Sequence, residues 1–447
     1  MIENVKKGRM AILVGGGPAP GINGVIGAAT IEGVSQGYEV IGFRDGFKWL
    51  AQGDAENYSK LSIEGVKDIH LRGGSVLGTA RTNPTKSAAS MKNVLEILRG
   101  WNIGALVTIG GDDTAFSASR VYKEANGAIG VAHVPKTIDN DLPLPGSTPT
   151  FGFETARHHG VAIVRNLAED ARTTSRWYII ISMGRAAGHL ALGIGKAAAA
   201  TLTIIPEEFR GRPVTFNEVC DILVGSIIKR RATGNHFGVA VLAEGLLESI
   251  GEKGLMGAVE DGRFDRYGQV SRDDHGHLRL GDIDFGRMIT DMLGERLEKL
   301  GLKMSLVAKD LGYELRCADP IPFDAEYTRD LGYAAVKFLR SEDAARHGAI
   351  ISFVGGKMMP LPFDQLLNPA TGRMQVRKVN VDAEAYECAR RYMIRLEPED
   401  FDNSVRLSRF AATANMTPEQ FRERFGYTVG LSSSPTASKQ PNETVNA

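Results

Sequence analysis

Residues 105–114 read ALVTIGGDDT: an apolar run, a glycine pair, two adjacent carboxylates and a threonine. Run 105–109 has the length and apolar content of a buried strand, and 114–125 continues at helical spacing. The glycines between them allow a sharp backbone turn. The same order of strand, glycine turn and helix appears at 10–14, GGG and 22–34, and again at 177–182, MGR and 187–199. Other apolar runs lie at 128–134, 202–205, 237–242 and 349–354. Continuous apolar strands joined through helices belong to parallel sheets covered on both faces, so the expected class is α/β with enough units for two sheets.

Length and charge narrow the function. A chain of 447 residues predicts two or three domains. Lys+Arg and Asp+Glu both number 53, which argues against a broad basic field for nucleic acid or a membrane surface and favours a small-molecule partner. The three cysteines, Cys220, Cys317 and Cys388, form no CxxC pair, which fits a reduced cytoplasm. The N-terminal apolar run is too short for a signal peptide, and no segment has the roughly 20 apolar residues of a membrane span. The proline- and glycine-rich stretch 143–150 marks a domain boundary. Segment 251–280 is polar and charged and reads as a surface insertion; 432–447, SSSPTASKQPNETVNA, reads as disordered.

The turn GGGPAPG at 15–21 removes Cβ atoms where backbone N–H groups face an anion, and a helix N-terminus follows. Alone it is equally a tight turn that lets a helix pack on a strand, because neither the P-loop nor the dinucleotide pattern is present. The stretch 135–141, PKTIDND, again follows an apolar strand. Two carboxylates one residue apart require water, a metal or a hydroxyl that gives up a proton, although an isolated DND is as readily a cap or an Asx turn. Together with IGGDDT, the loop supplies a metal anchor, a base and a cation at neighbouring strand ends.

GGGPAPGIN, RGGSVLGTAR, IGGDDT, PKTIDND, MGRAAG and LGYELR, in this order between 10 and 329, resemble the successive active-site motifs of the phosphofructokinase family. The resemblance implies two Rossmann-like three-layer α/β domains with the active site in the cleft between them. It also implies phosphoryl transfer to the 1-hydroxyl of fructose 6-phosphate. By the same resemblance Asp139 is the general base and Asp112 holds Mg²⁺. Gly16, Gly17 and Arg81 bind the donor, and Arg185, following Gly184, lies near the transferring group. Thr137, Ile138 and Met183 line the sugar pocket, Glu244 accepts a sugar hydroxyl, and Tyr313 and Arg316 bind the sugar phosphate. Arg176 matches an arginine that reaches the 6-phosphate across a subunit boundary, so the resemblance implies a homodimer or homotetramer.

The second acid then has a role. ATP-using relatives have glycine where Asp113 stands, giving the nucleotide's α-phosphate passage. A carboxylate there fills the space and repels it, while pyrophosphate still fits. Lys136 replaces another glycine common in bacterial ATP-using members and would neutralise a pyrophosphate leaving group. These substitutions resemble the pyrophosphate-using branch, which implies a reversible reaction giving fructose 1,6-bisphosphate and phosphate.

The expected donor domain is 1–150 completed by 317–375, the sugar-phosphate domain 151–316 completed by 376–410, and 411–447 a C-terminal extension. Within it TPEQFRERFG, 417–426, predicts a short helix capped by Thr417. Three departures from the ATP-using pattern stand out. Thr201 replaces an acidic effector-site residue, ADPIPFDAEYTR replaces a shorter turn after Arg316, and only Lys303 or Lys309 stands upstream of Tyr313 for an arginine lent by a neighbouring subunit. An ATP-dependent phosphofructokinase, a distant lipid or NAD kinase, and a non-catalytic sugar-phosphate-binding subunit are the rival readings. Sedoheptulose 7-phosphate is the rival acceptor.

Overall fold

The computed structural model describes residues 8–258, 264–268, 282–368, 371 and 374–431. Most of the 251–280 insertion and all of 432–447 lie outside them; residues 251–256 complete the Gly245–Met256 helix, which is interrupted by φ +72° at Gly251. The chain divides into two compact units, Met1–Gly160 with Gly312–Lys378, and Val161–Leu311 with Val379–Ala447.

Unit 1 is built on strands β1 Arg9–Val14, β2 Glu39–Phe43, β3 Tyr58–Leu61, β4 Ile103–Gly110 and β5 Gly130–Pro135. Unit 2 follows with β6 Arg176–Ser182, β7 Leu202–Ile204, β8 Gly238–Ala243 and β9 Ser305–Leu311, and unit 1 is completed by β10 Ala349–Val354 and β11 Lys357–Pro362. The unit 1 sheet has the order β11-β10-β5-β4-β1-β2-β3. Its inner pairs are parallel, and the edges β3 and β11 run antiparallel. The chain leaves β1 toward β2 on one side and returns to β4 on the other. The strand order therefore reverses between β1 and β4, where open α/β sheets bind ligands at their carboxyl ends.

Alternation along β1 creates two cores. Met10, Ile12 and Val14 pack with Ile22, Val25 and Ile26 of the Ile22–Ser35 helix and with Leu331 and Phe338 of the Pro322–Leu339 helix. Ala11 and Leu13 face the opposite layer, with Val94 and Leu98 of the Ala88–Gly100 helix and Ala118 and Val121 of the Asp112–Ala125 helix. The continuous apolar runs read from the sequence are thus required by burial on both faces.

Unit 2 holds a parallel sheet of order β7-β8-β6-β9. Trp177, Ile179 and Ile181 face a core shared with the Phe216–Ala232 and Phe285–Lys299 helices, and the His189–Ala197 helix lies against β7 and β8. Residues 411–431 belong to this unit: Phe421 and Phe425 of the Pro418–Phe425 helix are buried in the same core as Phe401 and Phe410. Thr417 and Gln420 form the capping box that starts this helix. Segment 312–316, expected at the end of the sugar-phosphate domain, belongs by its contacts to unit 1.

Candidate active site

In unit 1 the backbone leaves β1 through Gly15, Gly16 and Gly17. Gly15 N–H donates to Ile109 O and Gly16 N–H to Ala80 O, both at 2.9 Å, which ties the turn to the carboxyl end of β4 and to the GTAR segment. Gly16 has φ +81°, and a Cβ there would lie 3.2 Å from Lys136 Nζ. A side chain at 17 would collide with the Arg316 guanidinium. These glycines bring backbone within reach of two cations, so an anion there meets Cβ-free backbone and positive charge. Lys136 is buried, and its ammonium donates to Gly17 O beneath the turn. Arg316 is 8% exposed and sits 5.1 Å from the ring centre of Tyr313, itself 72% exposed. Burial first, and the Arg81 guanidinium second, hold its proton less firmly than usual. A second positive charge against a buried one is tolerable where an anion joins them.

Asp112 and Asp113 open the Asp112–Ala125 helix, with Gly111 in the N-cap position. Acids in a first turn complement the positive helix end. Beside them His133 is fully buried: its Nδ1 lies 2.8 Å from Thr108 Oγ1 and its Nε2 2.9 Å from Gly110 O. A carbonyl can only accept, so Nε2 carries the proton, and the threonine hydroxyl donates to Nδ1. Gly110 O also accepts from Lys136 N–H at 2.8 Å. The carbonyl preceding the acid pair is thereby fastened from β5, a constraint the sequence does not reveal, because His133 reads simply as a residue of an apolar strand.

The loop after β5 carries the expected base. Asp139 N–H donates to Thr137 Oγ1 at 3.0 Å, and Ile138 is buried. Asn140 adopts left-handed backbone, φ +56°. Its side-chain oxygen accepts from Thr150 N–H at 3.1 Å, and Thr150 Oγ1 donates to Thr137 O at 2.8 Å. Arg377 reaches the same loop, donating from Nε to Asn140 O at 3.1 Å, from Nη1 to Thr148 O at 2.9 Å and from Nη2 to Asn140 Oδ1. No motif pointed to Arg377.

In unit 2, Met183, Gly184 and Arg185 follow β6. Glu244, at the carboxyl end of neighbouring β8, accepts from Gly184 N–H and Arg185 N–H, both at 3.2 Å on Oε2. Its own N–H donates to Ser182 O at 2.9 Å. Glu244 therefore shapes the turn that carries Arg185, whose φ is +48°. Arg176 begins β6, at the opposite end of a strand of 7 residues, roughly 20 Å from the Met183 turn. There its Nε lies 3.8 Å from Asp170 Oδ2. The structure separates Arg176 from the other unit 2 candidates of its own chain.

Among the described residues no group of three or more His, Cys, Asp or Glu side chains could cage a metal. The helix-terminal carboxylate of Asp112 fits a small hard cation that keeps most of its ligands from water and phosphate oxygens.

A sheet with an anion cradle at its switch point, paired acids and buried cations defines an α/β protein of the phosphoryl-transfer class. The family model described as Phosphofructokinase matches residues 9–339. The chain is 50% identical over 426 residues to the pyrophosphate–fructose 6-phosphate 1-phosphotransferase of Thermotoga maritima, covering 95% of this chain and 99% of that one. It is also 50% identical over 427 residues to the protein of the same name from Naegleria fowleri, covering 94% and 95%. The solved pyrophosphate-dependent phosphofructokinase from Marinobacter aquaeolei shares the fold, with a TM-score of 0.61 over 86% of this chain and 90% of that one at 19% identity. The chain belongs to the phosphofructokinase family.

Proposed function

We propose that this chain transfers a phosphoryl group reversibly from pyrophosphate to the 1-hydroxyl of fructose 6-phosphate, giving fructose 1,6-bisphosphate and phosphate. The observation that carries the choice of donor is the pair Asp112-Asp113 at one helix start, with Lys136 buried under the glycine turn. The reading draws support from the names of the two relatives at 50% identity.

Phosphoryl transfer asks the protein for placement and charge more than for covalent chemistry. Gly17 offers its N–H to the donor, Gly16, whose own N–H is held by Ala80 O, gives the donor a Cβ-free approach, Arg81 and Lys136 balance its charge, and Asp113 denies room to an adenosine-bearing α-phosphate. Asp139 takes the proton of the sugar hydroxyl, beside Thr137 and Ile138. Arg185, presented with Met183 and Gly184 on the turn that Glu244 shapes, faces the transferring oxygens. Arg316 and Tyr313 bind phosphate, and Arg316 stands beside Gly17 and Arg81, so it serves donor and sugar phosphate alike. Asp112 would hold Mg²⁺, which would supply charge neutralisation for the phosphates. Arg176, at the opposite end of β6 from the Met183 turn of its own unit, acts in a neighbouring subunit of a homo-oligomer. Free cysteines, two of them exposed, support a reducing, cytoplasmic setting.

The test crosses pyrophosphate and ATP with fructose 6-phosphate and sedoheptulose 7-phosphate in the presence of Mg²⁺, on wild type and Asp113→Gly. Wild type should turn over with pyrophosphate and barely with ATP, and the variant should gain ATP activity. Wild-type turnover with ATP equal to that with pyrophosphate would sink the assignment of Asp113.

A further inference from the structure

We infer that Arg377 is a positioning residue for the catalytic base; the inference rests on the role given to Asp139 above. Arg377 lies 237 residues from Asn140 in the chain, yet its guanidinium donates to three acceptors of one loop: Asn140 O, Asn140 Oδ1 and Thr148 O. Its own N–H donates to Asp141 O at 2.6 Å. The residue after Asp139 is thereby gripped at its carbonyl and its side chain, and the residue after that at its carbonyl. On the other side, Thr137 Oγ1 holds Asp139 N–H.

Asn140 needs this grip. A left-handed conformation is uncommon outside glycine, and Asn reaches it when its short polar side chain is bonded locally. Here the side-chain oxygen is shared between Thr150 N–H and the arginine. Without the guanidinium, the neighbouring φ/ψ pair relaxes and Asp139 swings with it, because both dihedrals lie one peptide unit from its Cα. A planar fork meets two acceptors on one residue and a third on another; an ammonium has no such geometry. Partial burial loosens the arginine's hold on its proton, in keeping with a half-buried cation placed for hydrogen bonds to the loop.

A displacement of about 1 Å at a reacting group costs on the order of 100-fold in rate. Arg377→Ala should therefore lower kcat by about 100-fold while KM for pyrophosphate and fructose 6-phosphate stays within about twofold. Added guanidinium ion should restore part of that loss. The double variant with Asn140→Ala should lose no more than the worse single variant, since both act through one loop. An unchanged kcat, a loss confined to KM, or additive losses would each overturn the inference. If Arg377→Ala does not fold, Arg377→Lys decides: lowered kcat at unchanged KM supports positioning, whereas full kcat, or failure of this variant also to fold, assigns Arg377 to stability alone. Asp139→Ala separates the two readings. Full turnover there removes the base itself, while a dead Asp139→Ala beside a wild-type-like Arg377→Ala removes only the present inference.

Discussion

A buried imidazole that donates to a carbonyl and accepts from a hydroxyl has no place for a second proton. His133 is in that position, and burial pushes its pKa from 6.5 down to about 3. Between those values the unfolded chain binds a proton that the folded chain refuses, so stability is full above about pH 6.5 and falls as the pH drops toward 3. The slope for one such proton is about 1.4 kcal/mol per pH unit. Denaturant melts of wild type and His133→Gln at pH 7, 6 and 5 should show this slope in wild type and a flatter one in the variant; equal slopes would remove His133 as its source. Residues of the same turn differ in how far the sequence reveals them. Asp112, Asp113 and Lys136 were legible because each adjoins a glycine turn or a strand end in the chain. His133 and Arg377 were not, because their partners stand on another strand and in a distant loop.

Elements were legible where burial on two faces made them continuously apolar, as in β1, β4, β6 and β10. The β9 sequence SLVAKDL, exposed over most of its length, carries no such signal, and β11, an antiparallel edge with two prolines, contradicts the usual one. A helix start can likewise depend on a residue far away. Gly152 N–H and Thr155 N–H each donate to Asp324 at 2.8 Å, and Thr155 Oγ1 donates to it at 2.6 Å. Asp324 thus caps the Phe153–Thr174 helix from the Pro322–Leu339 helix, inside the stretch ADPIPFDAEYTR that stands where the ATP-using pattern has a shorter turn. Despite these donors, burial raises its pKa. Asp324→Ala leaves three donors without an acceptor in a buried place and should cost about 3 kcal/mol by chemical denaturation. A loss under about 0.5 kcal/mol would mean that water replaces the carboxylate.

At the scale of the whole molecule, the C-terminal helices are part of the unit 2 core. Asp221, buried on the Phe216–Ala232 helix, accepts from Arg296 at 2.6 Å, Arg424 at 2.9 Å and Tyr427 OH at 2.6 Å, so residues 424–427 are bound to the same carboxylate as the Phe285–Lys299 helix. Phe421 is 0% exposed. Phe421→Ala should cost about 3–5 kcal/mol and lower the unfolding midpoint; an unchanged midpoint would show that 411–431 does not contribute to the core.

The α/β class, the glycine turns, the acid pair and the short capped helix at 417 are written into neighbouring residues of the chain. Each is a local matter: periodicity, Cβ-free backbone and capping act over a few neighbouring residues. Only folding brings Arg316 over Gly17, His133 to the Gly110 carbonyl, Glu244 to the Arg185 turn and Arg377 to the base loop. Those contacts join residues far apart in the chain, and a hydrogen-bond partner supplied by another element leaves no mark on the residues beside it.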